Sequence, residues 1–257
     1  MANLYDYPKI YDERFTETAH EAYKNHYRRM FAGRDIKTVL DCSFGTGCLT
    51  FPLAELGYQV SGSDLSGPML KEAGRKALER GLNIPLRQCD FRELTQHFSP
   101  GFDCVMSTGS ALGHVCHNDI RRTLCEMDAL IRPGGYLYYD SRNWEKEQKE
   151  KSRFKWTKPF LRPDGVRIHC VQVWDYCEDG AIVISISQGY ERDGNIIHTS
   201  DFEEKLIPFP IALARATLKG LGYAEPVIKP CPWFEDKPVE ETGWYCFMAQ
   251  KPGHSLP

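Results

Sequence analysis

Several absences narrow what this chain of 257 residues can be. No apolar run approaches the roughly 20 residues that a membrane-spanning helix needs. The opening MANLYDYPKIYDERF is too polar for a secretory leader, so a cytoplasmic protein without membrane partners is expected. A strong excess of one charge is missing as well. Lys and Arg number 32 against 35 Asp and Glu, which leaves no electrostatic footprint for nucleic acid. The 10 cysteines include no C-x-x-C pair. Cys42, Cys89, Cys104, Cys125 and Cys246 fall inside apparent strands and helices and read as reduced core residues. His114, Cys116 and His117 cluster without a second ligand pair, so no metal is expected. What remains is a globular chain, 42% hydrophobic, able to bury a full core and to act on a small molecule.

The most informative stretch is residues 39–69, VLDCSFGTGCLTFPLAELGYQVSGSDLSGPM. A short apolar strand ends on Asp41, and a loop follows with Ser43, Gly45 and Gly47. Leu49, Leu53 and Leu56 then recur at helical spacing until Gly57. A second strand, 59–62, delivers Asp64. Both acids stand at strand C-terminal ends, where open α/β sheets bind ligands, and an acid about 20 residues past the glycines can accept ribose hydroxyls. A lone Gly-x-Gly would mean only a tight turn; the second acid argues for a ligand. A dinucleotide fits poorly, because the third glycine of its fingerprint would fall on Thr50. S-adenosylmethionine fits better, with a ribose for Asp64, a zwitterionic tail for the glycine loop and no pyrophosphate to cradle.

Ahead of this unit, Tyr23, Tyr27, Met30 and Phe31 mark an amphipathic helix, and Tyr5, Tyr7 and Tyr11 are either packing or a lid. Beyond it, Ser66 and Pro68 open a helix that runs to about residue 80. A third strand, 86–89, ends on Asp90 and Phe91. The acid either caps the next turn or meets the ligand, and the ring offers a face to a flat base. The fourth strand, 102–106, runs into a small-residue loop whose polar groups are Ser110 and His114. A helix at 118–130 and the turn Arg132-Pro-Gly-Gly135 lead to a fifth strand, 136–139, and to Asp140-Ser-Arg142-Asn143-Trp144.

Five such βα units in a row predict an α/β fold with a doubly wound, mostly parallel, Rossmann-like sheet. Residues 145–158 lack apolar periodicity and read as a solvated connection. Three β-rich runs between 166 and 206, parted by Glu178-Asp-Gly180 and Arg192-Asp-Gly194, predict an antiparallel insertion. Leaving from the ligand edge after the fifth strand, it can fold over the site as a lid. A helix at 211–221 and strands near 227–228 and 245–249 complete seven strands. The expected organisation is a core of residues 1–144 and 207–257, with an N-terminal lid helix at 1–32 and an insertion at 145–206.

With these residues in place, the chain resembles class I S-adenosylmethionine-dependent methyltransferases, and within them the glycine and glycine/sarcosine N-methyltransferases. VLDCSFGTG is similar to the first cofactor motif, GSDLS to the ribose-binding one, CDF to the adenine-binding one and LIRPGGYLYYD to the late helix–strand junction. TGSALGHV, DSRNW and EKLIPFPIALARATLKGLGY are similar to more discriminating family segments. The resemblance implies a cofactor set of Asp41, Ser43, Gly45, Gly47, Asp64, Leu65, Met69, Asp90, Phe91, Thr108 and Gly109. It implies Arg142 on the carboxylate of an amino-acid acceptor, where a guanidinium can make two parallel hydrogen bonds. Tyr11 and His114 are the other candidates for the acceptor side. S-adenosylhomocysteine would be the product, and a homo-oligomer is implied as well.

Three positions depart from the family: Ser110 replaces an asparagine, Pro208-Phe209-Pro210 replaces Tyr-Tyr-Pro, and Ala19 stands where an arginine meets the cofactor carboxylate. His20, Arg14 and Arg28 are the nearby substitutes. The expected reaction is methyl transfer to the amine nitrogen of a small metabolite carrying a carboxylate, with positioning as the protein's main contribution. O- or C-methylation, a non-catalytic cofactor-binding protein and a nicotinamide-dependent enzyme are the alternatives. Base methylation is disfavoured by STGSAL in place of Asn/Asp-Pro-Pro-Tyr.

Overall fold

In the computed structural model, which describes residues 2–253 except Arg14 and Glu235, the chain begins with a 3-10 turn (Leu4–Asp6) and α1 (Pro8–Asp12). Thr16 caps α2 (Glu17–Phe31) by accepting from the Ala19 amide. Then come β1 (Thr38–Asp41), α3 (Phe51–Glu55), β2 (Gln59–Asp64), α4 (Gly67–Glu79), β3 (Leu86–Gln88) and β4 (Phe102–Ser107). Ser66 caps α4 through the Met69 amide, as the sequence predicts. The chain continues through α5 (His117–Leu130), β5 (Ile131–Arg142), α6 (Trp144–Glu150), β6 (Phe154–Leu161), β7 (Arg167–Tyr176), β8 (Ile182–Arg192) and β9 (Asn195–Leu206). It closes with α7 (Ile211–Gly220), β10 (Val227–Pro230) and β11 (Trp244–Gln250).

Among the described residues the first sheet has seven strands in the order β10-β11-β5-β4-β1-β2-β3, with β11 antiparallel to both neighbours and the rest parallel. The chain winds outward from β1 through β2 to β3, then crosses back to lay β4 on the other side of β1. That reversal opens a crevice beyond the carboxyl ends of β1 and β4, where doubly wound sheets take ligands. Successive residues of the central strands feed opposite cores. Leu40, Val105, Leu137 and Tyr139 pack toward α5, α7 and the insertion. Val39, Cys104, Met106 and Tyr138 pack toward α2, α3 and α4. Helices therefore cover both faces, and the middle strands read as unbroken apolar runs.

The insertion differs from its expected form. It is a four-stranded antiparallel sheet, β6-β7-β8-β9, and of residues 145–158 only 151–153 are an exposed connection, the rest belonging to α6 and β6. The cause is local. Of the two turns of α6, only Trp144 and Glu147 turn inward, and Glu147 pairs with Lys155. β6 is an edge strand that leaves Phe154, Trp156 and Leu161 exposed, so neither element shows the periodicity of a buried face. The N-terminal region also divides. The long helix α2 packs behind the sheet through Tyr23, Tyr27, Met30 and Phe31, and only the segment before it reaches the crevice. The fifth strand is longer than expected, running from Ile131 directly out of α5.

Candidate functional site

A cavity of about 880 Å³ lies at the crevice, with strand ends as its floor and the N-terminal segment and β9 as its roof. The roof is fastened at several points. Ala2 bridges to Phe202, the Tyr7 ring lies 5.6 Å from the Phe202 ring, and the Glu13 carboxylate accepts from Arg162 and Tyr190 of the insertion at 2.7 and 3.0 Å. On the floor side, Asp12 accepts from Thr46 at 2.5 Å and pairs with the buried Lys76 ammonium at 2.9 Å. The aromatic residues read as packing or lid do both here.

On one side of the cavity stands Asp64. Its two carboxylate oxygens accept from the Gly45 and Ser66 amides, each at 2.8 Å, which leaves outward lone pairs for further donors. Burial raises its pKa while the amides oppose the rise. Asp90, across the cavity, both caps the turn Phe91–Gln96 and lines the wall, so the two sequence readings of this acid describe one residue. The Arg92 guanidinium holds its carboxyl below the ordinary range. Between the two acids, Leu65 is 67% exposed, an apolar side chain opening into the cavity with Phe91. Ser43, Gly45, Met69, Thr108 and Gly109 also line the space.

Two of the expected ligand residues stand behind the wall. Asp41 is fully buried, accepting from the Ser43 amide and from the Thr50 and Thr108 hydroxyls, and so braces the loops that do reach the cavity. Burial raises its pKa to about 6, against these hydrogen bonds. Gly47 has φ +80°, and a Cβ there would lie 2.6 Å from the Phe51 ring. Its role is the turn and the close packing beneath it. His20 is paired with Glu55 and Arg28 with Asn25, both away from the cavity lining, and Arg14 lies outside the described residues.

An aromatic and polar group lines the same cavity, joined to the Asp64 side where Ser66 Oγ donates to the Tyr5 carbonyl at 3.0 Å. Tyr5 and Tyr11 have ring centroids 6.0 Å apart, and the Tyr5 hydroxyl lies 2.9 Å from His114 Nε2. Tyr5 is half-buried and His114 exposed, and both line the cavity. Burial, with Glu204 next, holds the Tyr5 phenol well above its ordinary pKa, and burial holds His114 below its own. The pair is therefore uncharged near pH 7. The loop beneath it is set by buried Asp140, which accepts from the Gly109 and Ser110 amides at 3.2 and 2.9 Å. Ser110 is held left-handed at φ 60° and accepts from the Arg142 amide.

Arg142 does not line the cavity. Its guanidinium lies 5.0 Å from the ring centres of both Trp174 and Trp244, and its charge is felt at Tyr5 and His114. Tyr5, Thr46, Cys48 and Glu204 also line the cavity, and sequence reasoning did not assign them to the site. For Tyr5 the clustered N-terminal tyrosines were the available signal. No group of three or more His, Cys, Asp or Glu side chains suited to a metal occurs among the described residues, and no described helix is long and apolar enough to cross a membrane.

Comparison with known proteins places this geometry. Residues 39–135 match the family model for a methyltransferase domain. A glycine/sarcosine N-methyltransferase from Aphanothece halophytica is 30% identical over 149 residues, 54% of this chain and 56% of that protein. The chain spans about half the length of the curated relatives it matches. Among solved structures, an S-adenosylmethionine-dependent methyltransferase from Clostridium acetobutylicum superposes with a TM-score of 0.75 at 20% identity, covering 98% of this chain and 100% of that one. An amino pentose methyltransferase from Micromonospora echinaspora, solved with S-adenosylmethionine bound, gives 0.74 at 20% identity over 95% and 96% of the two chains.

Proposed function

With residues 39–135 carrying a methyltransferase domain on the class I, S-adenosylmethionine-dependent fold, we propose that the chain methylates the amine nitrogen of a small metabolite bearing a carboxylate. The observation that carries this reading is the one cavity that gathers an acid with apolar surface and an uncharged Tyr–His pair with a nearby cation. The residues present suit the cofactor. Asp64 has acceptor capacity left for ribose hydroxyls, Leu65 and Phe91 offer apolar surface to adenine, and Asp90 can accept from an exocyclic amine. Gly45, Ser43 and Thr108 line the space left for the methionyl tail.

When bound, S-adenosylmethionine supplies a methyl group already activated by its sulfonium. The chain's contribution is then to orient and enclose. Holding the acceptor nitrogen in line at near-attack distance is worth up to about 7–11 kcal/mol in favourable cases. Tyr5, Tyr11 and His114 shape the acceptor side, and the N-terminal segment and β9 cover part of the cavity. Arg142, 5.0 Å from two indole ring centres and behind the lining, adds positive potential toward the acceptor's carboxylate from a distance. The relative named for glycine and sarcosine N-methylation supports nitrogen as the acceptor atom, while relatives 33% identical are named as ubiquinone biosynthesis O-methyltransferases.

The test is incubation with methyl-labelled S-adenosylmethionine and a panel of amines and amino acids, read by mass spectrometry. Label should appear on an amine nitrogen. Thermal stabilisation by NADH with none by S-adenosylhomocysteine would overturn the cofactor assignment.

A further inference from the structure

Strand β9 carries a charge where its pattern calls for an apolar residue. Side chains two apart on a strand share a face, so Phe202, Glu204 and Leu206 point the same way. Phe202 and Leu206 are core residues, each 2% exposed. Glu204 lies between them, half-buried and lining the cavity. Its carboxylate makes no hydrogen bond or ion pair with any described residue. The adjacent cation, Lys205, is taken up by Asp179 at 3.2 Å. Inward-facing charges without partners are costly, and one that lines a cavity is a group awaiting a ligand.

The surroundings say which ligand. β9 packs against the two turns that carry Tyr5 (Leu4–Asp6) and His114 (Ala111–His114): Ala2 bridges to Phe202, and the Ile207 amide donates to the Gly113 carbonyl. The Glu204 carboxylate thus faces the hydrogen-bonded pair, and it raises the pKa of both. We propose that Glu204 is the acceptor-recognition carboxylate of this enzyme and restricts it to nucleophiles that become cationic on methylation, that is, to amines. This rests on the methyl-transfer reading above. The amine's lone pair forms the new carbon–nitrogen bond, the carbon–sulfur bond breaks with its electron pair left on sulfur, and positive charge passes to nitrogen. A carboxylate accepting an N–H of that amine stabilises the charge as it develops. The same carboxylate repels a phenolate or carboxylate nucleophile, so one residue both favours nitrogen and disfavours oxygen. Tyr5 and His114, being uncharged, leave that preference to Glu204.

The experiment compares wild type with Glu204→Gln, which keeps shape and removes charge. For the amine that wild type methylates fastest in the panel, kcat/KM should fall about ten- to a hundredfold, the range for losing a hydrogen bond to a charged group. Turnover of a phenol of similar size should not fall. By calorimetry, the methylated amine should bind the variant loaded with S-adenosylhomocysteine about tenfold more weakly or worse, by the same reasoning. The affinity of both proteins for S-adenosylhomocysteine itself should agree. Unchanged kcat/KM for the amine overturns the proposal, as does an equal loss of S-adenosylhomocysteine binding. A loss confined to S-adenosylmethionine would instead assign Glu204 to the sulfonium and overturn it too. If wild type binds S-adenosylhomocysteine yet methylates no amine, the parent reading fails first, and this one with it.

Discussion

Asp41 turns the site's scaffold into a pH-dependent stability term that can be isolated. Its carboxyl is fully buried, and burial lifts its pKa from 3.8 to about 6. Between those values the native state holds a proton that the unfolded chain has released. Stability from this group is therefore fully present below pH 4 and is lost as pH rises through about 6. The size follows from the shift, about 3 kcal/mol at 1.36 kcal/mol per unit. Other buried acids, Asp64 and Asp140, are raised as well and slope the wild-type curve in the same direction. The Asp41→Asn variant separates them. The amide stays neutral at every pH, and the Thr50 and Thr108 hydroxyls can rotate to accept from it. Urea denaturation of both proteins from pH 4 to 7.5 gives the difference in unfolding free energy, wild type minus variant. That difference should fall by about 2.4 kcal/mol across the range, the rest being lost already by pH 4. A flat difference, or one that rises with pH, would show that the three hydrogen bonds to Asp41 outweigh its desolvation.

Two further predictions concern the two sides of the cavity. Asp64→Asn should weaken S-adenosylhomocysteine about ten- to a hundredfold by calorimetry, since each hydrogen bond to the lost charge is worth about 1.5–3 kcal/mol; undiminished affinity would remove the ribose assignment. Arg142→Ala should raise KM for a carboxylate-bearing amine by roughly a few-fold while leaving S-adenosylhomocysteine affinity within twofold, the loss of a cation that acts from behind the lining without a direct hydrogen bond to the acceptor. Equal losses for both ligands would make Arg142 a packing residue for Trp174 and Trp244.

The floor of the cavity is legible because it is written in contiguous motifs. A strand, a glycine turn and an acid at the next strand end constrain one another within a few dozen residues, so the sequence brings Asp64, Leu65 and Asp90 to the same sheet edge, and all three line the cavity. The same reasoning overreached at Asp41 and Gly47. A motif names the residues that build a loop, but not which of them face outward; Asp41 turns back to brace Ser43 and Thr108, and Gly47 fits beneath the loop against Phe51. The acceptor side was harder. Glu204 stands in a run, EEK, that reads as a solvated edge, and only its pairing partners show which face is inside. Tyr5 reaches His114 across most of a domain, a contact no local pattern encodes. α6 and β6 escaped notice because one is short and the other exposed along its edge.

The roof over the cavity has a cost that its floor does not. The Asp64 corner joins residues 19 apart in the chain, through Gly45, whereas the Glu13–Tyr190 clasp joins residues 177 apart. Chain closure grows as three-halves RT times the logarithm of loop length, so the clasp forfeits about 2 kcal/mol more conformational entropy than the corner. The roof is thus the more non-local half of the enclosure, the part whose chain-closure entropy has to be met before its contacts offset it.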